Sequence, residues 1–184
     1  MKKPAGFDQV QSFGEFEPLK LGGHICKIMS VEESKSRAGK DMLVISLDIA
    51  EGEQANYYAN QYKNDTRENK KWGCVVYTMV YDNEGNTSRG FKTFIENVEK
   101  SNKGFAVQWI DNFGEQFKGK LIGGVFGREE YLNQSGEKKM ATKCMFFRTV
   151  ETIKKGVEAP ADKLLSGSTA GFTQDAEDDD SLPF

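Results

Sequence analysis

At 184 residues the chain is sized for one domain with extensions rather than for two full domains. Only 38% of its residues are apolar and its mean hydropathy is -0.61, too polar for a chain folded throughout, and no apolar run approaches the roughly 18 residues that span a bilayer. The net charge of -3 hides a split: residues 156–184 carry seven carboxylates against Lys163 alone, net -6, which leaves residues 1–155 at +3.

Residues 1–19 hold Phe7, Phe13 and Phe16 without periodicity and read as an arm laid on a domain of residues 20–155. Residues 24–31 alternate as a first strand, and 32–41 form a polar loop around Gly39. Residues 42–50 alternate most cleanly, with Leu43, Ile45, Leu47 and Ile49 on one face. A polar loop over 51–71 follows, long enough to suggest function. Residues 72–81, rich in Val and Tyr, predict a third strand, and 82–86 a turn. Phe91, Phe94, Ile95 and Val98 fall at i, i+3, i+4 and i+7, one face of a short helix capped by Thr87 or Ser88 and ended by Gly104. Residues 119–132 and 138–150 predict a long hairpin about a turn at 133–136.

Five strands with a short helix between the third and fourth predict an all-β five-stranded OB-fold barrel, an architecture that commonly binds oligonucleotides. Catalytic chemistry finds no support. His24 is the only histidine and sits among apolar strand residues, where a packed side chain is the simpler reading. Residues 114–121 look like a phosphate-binding loop, but Leu121 stands where the magnesium-ligating Ser or Thr is needed, and a strand pattern follows instead of a helix. Cys26, Cys74 and Cys144 are odd in number and widely spaced, so neither a disulfide framework nor a zinc site is expected. The expectation is a non-enzyme with no metal and no cofactor. Met1-Lys2-Lys3-Pro4 lacks the apolar core of a secretory signal, which points to a reducing cytoplasm.

Single-strand binding needs cations along a groove and aromatic faces for bases. Both interleave in one stretch through Tyr62, Lys63, Arg67, Lys70, Lys71, Trp72 and Tyr77, which enters the strand 2–3 face that OB-folds use. Alternation along the third strand allows only one of the Tyr77/Tyr81 and Trp72/Thr78 faces to point outward. Lys35, Arg37 and Lys40 lie between strands 1 and 2; Arg128, Tyr131, Lys138 and Lys139 flank the turn between strands 4 and 5. Those are the two connections with which OB-folds clasp a strand. A mildly basic body with an acidic tail fits the same picture.

From 156 the sequence turns to Ala, Pro, Ser, Gly and Thr, a flexible linker over 156–174, and ends on a tip over 175–184. Asp178, Asp179 and Asp180 precede Leu182, Pro183 and Phe184. This tip resembles the acidic tip of bacterial and phage single-stranded-DNA-binding proteins. Asn69-Lys70-Lys71-Trp72, Gly90-Phe91-Lys92 and Lys118-Gly119-Lys120 are similar to the phage-type members. Ser181 is an extra residue relative to the commonest tip. The resemblance implies a protein of a phage or mobile element, acting in the bacterial cytoplasm. It would coat single-stranded DNA and recruit replication or recombination proteins through the six tip residues. A homo-oligomer such as a dimer is compatible with it. Two other readings are a strand-annealing or recombination-mediator protein, and an OB-like adaptor that binds no DNA.

Overall fold

Alternating apolar side chains around residues 24–31 and 42–50 form two paired strands at the middle of an antiparallel sheet. The computed structural model describes residues 2–7 and 17–165. β1 spans Gly22–Lys35, β2 Asp41–Ile49, β3 Val75–Met79, β4 Leu121–Leu132 and β5 Lys138–Arg148. Their order in the sheet is β3-β2-β1-β4-β5, each neighbouring pair antiparallel. The expected barrel is seen as an open five-stranded sheet, with β3 and β5 as edges that do not pair with each other.

The core lies on one face. Cys26, Ile28 and Val31 of β1, Leu43, Ile45, Leu47 and Ile49 of β2, and Ile122 and Phe126 of β4 meet there. α2 (Arg89–Ser101) closes it with Phe91, Phe94, Ile95 and Val98, the four residues of the helical pattern, all buried. Of the two cap candidates Ser88 serves, its side chain accepting from the Phe91 N–H at 3.1 Å. Phe94 sits 5.3 Å from the ring of Phe117 and 5.4 Å from that of Phe147 on β5. The helix packs against β3, β4 and β5 and so lies across the opening between the two edges. A 3₁₀ turn over Phe113–Phe117 presses onto β1.

Several expectations are corrected. The loop predicted over 51–71 contains α1 (Tyr57–Asn64). Its start is set at long range: the Asp48 carboxylate on β2 accepts from the N–H of Tyr58 at 2.9 Å and of Ala59 at 3.3 Å, and Asn56 provides no side-chain cap. β3 begins at Val75, later than the predicted 72, and Tyr81 lies beyond it in a bridge to Thr87. The end of the predicted last strand is α3 (Val150–Lys154), capped by Thr149. Its Ile153 joins Ile25 and Val125 in a second small cluster on the opposite side of the sheet.

The predicted linker begins with ten residues held on the domain. The N–H of Gly23 donates to Val157 O at 3.2 Å, Lys163 bridges β4 in parallel through Arg128 O and the Glu130 N–H, and Arg128 pairs with Asp162 at 2.8 Å. β4 overhangs β1, whose pairing with it stops at Phe126, so residues 127–132 have an open edge on that side. This segment covers it, as exposed edges demand. Of the predicted arm, Leu19 is buried and its N–H donates to the Tyr57 hydroxyl. Phe13, Phe16, the rest of the linker from 166 and the whole tip, Asp178 to Phe184, lie outside the described residues. Among those described, no helix is long and apolar enough to cross a membrane.

Candidate nucleic-acid interface

With α3 and residues 156–165 against β1 and β4, the outer face of the β2–β3 strip stays open to the predicted interface. The alternation on β3 resolves here. Thr78 is 7% exposed and faces inward, whereas Tyr77 is 45% exposed and stands opposite Val44 of β2. Trp72, which precedes the strand, is not positioned by alternation. Its Nε1–H donates to Leu47 O at 2.6 Å and its ring is half-buried against the core.

Around Trp72 three of the predicted residues come together. The Tyr62 ring from α1 lies 5.6 Å from it at 41°, and Lys70 Nζ stands 4.5 Å from the Tyr62 ring centroid. Lys63 in the last turn of α1 and Lys71 are exposed. Neither these two nor Lys70 forms an ion pair among the described residues. Arg67 differs, since its guanidinium grips Asp65 through Nε and Nη2. That contact holds the Asp65 carboxyl down at about 2, so the pair stays ionised well into the acid range.

The other two predicted groups are placed apart from this cluster. Lys35, Arg37 and Lys40 sit at the Asp41 end of β2, about 20 Å along the strand from Leu47 at ~3.4 Å per residue. Lys35 is tied to Asp41 at 2.6 Å and Lys40 donates to Asn83 Oδ1. Arg37 is exposed in a turn that Ser36 and Gly39 close by backbone hydrogen bonds. The β4–β5 group lies on the far side of β1. Arg128 is held by Asp162, Lys138 by Glu130 at 3.1 Å and Lys139 by Glu137 at 3.3 Å, and Tyr131 is half-buried opposite Lys139. These cations carry their own counter-charges, so phosphate contact there requires ion pairs to exchange.

The sequence reading did not single out Trp109. It is 71% exposed on the segment between α2 and the 3₁₀ turn, and no periodicity marks it. The signal available was the residue itself, a tryptophan amid the polar residues Gln108, Asp111 and Asn112.

The Nε2 of His24 is 2.7 Å from Lys20 O and its ring meets Phe126 edge-on. Burial pushes the Cys74 thiol up to about 12 and also raises those of Cys26 and Cys144, which favours the protonated thiol at neutral pH. Among the described residues no group of three or more His, Cys, Asp or Glu could hold a metal ion. The segment that looked like a phosphate loop is the 3₁₀ turn and the start of β4. No protein-family model matches the chain, and no curated protein matches it in sequence.

Proposed function

We propose that this domain binds single-stranded DNA without sequence specificity, as a non-enzymatic coating protein for replication or recombination. The observation that carries the reading is the Tyr62–Trp72–Lys70 cluster at the edge of the β2–β3 strip, with the exposed Lys63 and Lys71 next to Tyr62 and Trp72 in the chain. Stacking rings with mobile cations at their rim are what sequence-tolerant strand binding uses. The strand order supports an OB-type barrel opened between β3 and β5, with α2 laid across the seam. Such barrels are often partly open and bind on the strand 2–3 face.

Labelled oligo-dT is expected to bind more tightly than duplex of the same length, with affinity falling steeply as salt rises because phosphate contacts release counterions. Fluorescence polarisation across a salt series checks this. Equal affinity for duplex, or no binding to either, removes the proposal.

Asp178, Asp179, Asp180, Leu182, Pro183 and Phe184 would then dock replication or recombination proteins of a bacterial host or of the phage itself. Deleting residues 175–184 is expected to leave the melting temperature unchanged and to abolish capture of those partners. Deleting Phe184 alone should reproduce the loss, since the apolar anchor goes and the acidic run remains. Pull-downs with the three proteins decide, and identical partners from all three would leave the tip with no docking role.

One observation favours a second reading, an OB-like adaptor that binds no DNA. Five of the predicted cations, Lys35, Arg67, Arg128, Lys138 and Lys139, are engaged by neighbouring carboxylates. An absence of oligonucleotide binding at low salt, with partner capture intact, selects it.

A further inference from the structure

The groove beside Trp109 is built rather than incidental. The indole lies on Phe113 with centroids 5.2 Å apart and planes at 17°, and Phe91 of α2 supports it from 6.2 Å. Phe113 and Phe91 are buried, so one indole face is packed and the other is left to solvent. The backbone under it is pinned. The Gln116 amide accepts from the Gln108 N–H and donates to Gln108 O, both at 2.8 Å, and Glu99 accepts from the Val107 N–H at 2.9 Å. A surface tryptophan held this way has little conformational freedom left to lose on binding, which favours tight stacking.

Beside it opens a cavity of about 800 Å³, which Phe91 and Phe113 also line, together with Tyr81, 46% exposed, Glu33 and Asp111. Glu33 brings the end of β1 to the cavity. Lys35, two residues beyond Glu33, is paired with Asp41, whose carbonyl accepts from the N–H of Val80 in the cavity wall. Lys40 reaches across to Asn83, two residues from Tyr81.

We infer that this groove is a second base-binding subsite, which takes one unpaired nucleobase bearing an exocyclic amino group against the exposed indole of Trp109. The inference rests on the single-strand reading above and deepens it. An aromatic platform fits any base. The carboxylates select among bases, because adenine and cytosine offer an amino donor where thymine offers carbonyl acceptors that Glu33 and Asp111 repel. Phosphates on either side of the base would meet Lys35 and Lys40 outside the acidic groove, by exchange with their present partners Asp41 and Asn83.

The chain has two tryptophans, so each can be watched alone in the full-length protein. In Trp72→Phe protein the remaining emission reports Trp109; in Trp109→Phe protein it reports Trp72. Both are titrated with labelled oligo-dT, oligo-dA and oligo-dC, with polarisation following binding independently. Trp109 emission should be quenched on binding, more by oligo-dA and oligo-dC than by oligo-dT. Trp109→Ala should weaken oligo-dA and oligo-dC by about tenfold and oligo-dT by less. Its circular dichroism should be unchanged, since the side chain is mostly exposed. Binding by polarisation with silent Trp109 emission overturns the subsite and leaves the single-strand reading standing. Equal quenching by the three homopolymers overturns the amino-group selection. Concentration-dependent quenching without oligonucleotide assigns the groove to a second copy of the chain and overturns the proposal. Absence of any binding overturns this inference together with the reading it rests on.

Discussion

Gly114→Ala is expected to destabilise the domain by about 3 kcal/mol, near the upper end of overpacking costs. A Cβ at this position would lie 1.9 Å from the carbonyl oxygen of Val31 and 2.9 Å from its carbon. Both atoms belong to the backbone of the central strand, so no side chain can swing aside. Relief requires the 3₁₀ turn to lift off β1, which carries Phe113 and Phe117 out of their contacts with Phe91 and Phe94. For a domain of this size the melting temperature should fall by about 6–12 °C. Gly136→Ala is the matched control. It sits in the β4–β5 turn at φ 75° with nothing within 4 Å of the added methyl. Only the left-handed backbone penalty remains there, about 1 kcal/mol, and a fall of about 2–4 °C. Calorimetry of the two variants tests the contrast. If Gly114→Ala melts no lower than Gly136→Ala, the turn is not packed on β1 as described.

The elements most legible in the sequence are those whose pattern has a single cause. β2 buries one face in the core, so Leu43, Ile45, Leu47 and Ile49 alternate and all four are buried. α2 shows its four-residue stripe and its local serine cap for the same reason. α1 was illegible because its cap is Asp48, ten residues from the Tyr58 it serves, and it buries only Tyr58. The first ten residues of the predicted linker look like linker because they are held at scattered points, Val157 on β1 and Asp162 and Lys163 on β4, which leave no periodic pattern.

For the candidate site, residue types were legible and charge commitments were not. Lys35–Asp41 is six residues apart and Arg128–Asp162 thirty-four, so only the fold shows that these cations have partners. Trp72 was read as a stacking surface or a core residue, and its ring is half-buried while its N–H is spent on β2. Trp109 was illegible as a site because its platform, Phe91 and Phe113, comes from two different elements.

Trp72→Ala is expected to weaken oligo-dT binding by about 1–3 kcal/mol, the range for losing one stacked base. It should also lower stability, because it deletes the hydrogen bond to Leu47 O, worth about 1 kcal/mol, and the packing of the ring on the core. Two companions separate these effects. Trp72→Phe keeps an aromatic face and loses the hydrogen bond, so its stability should drop while most of the affinity returns. Tyr62→Ala leaves the Leu47 contact alone and removes the ring 5.6 Å away, so affinity should drop with little change in melting. Lys70→Ala and Lys71→Ala act through charge: their deficit should be larger at low salt than at high, and each should flatten the salt dependence by about one counterion. The pattern that defeats the assignment is a Tyr62→Ala protein that binds oligo-dT like wild type, beside a Trp72→Ala protein whose loss of affinity tracks its loss of fold by circular dichroism. In that event the cluster is core margin, and the strand must bind elsewhere on the sheet or not at all.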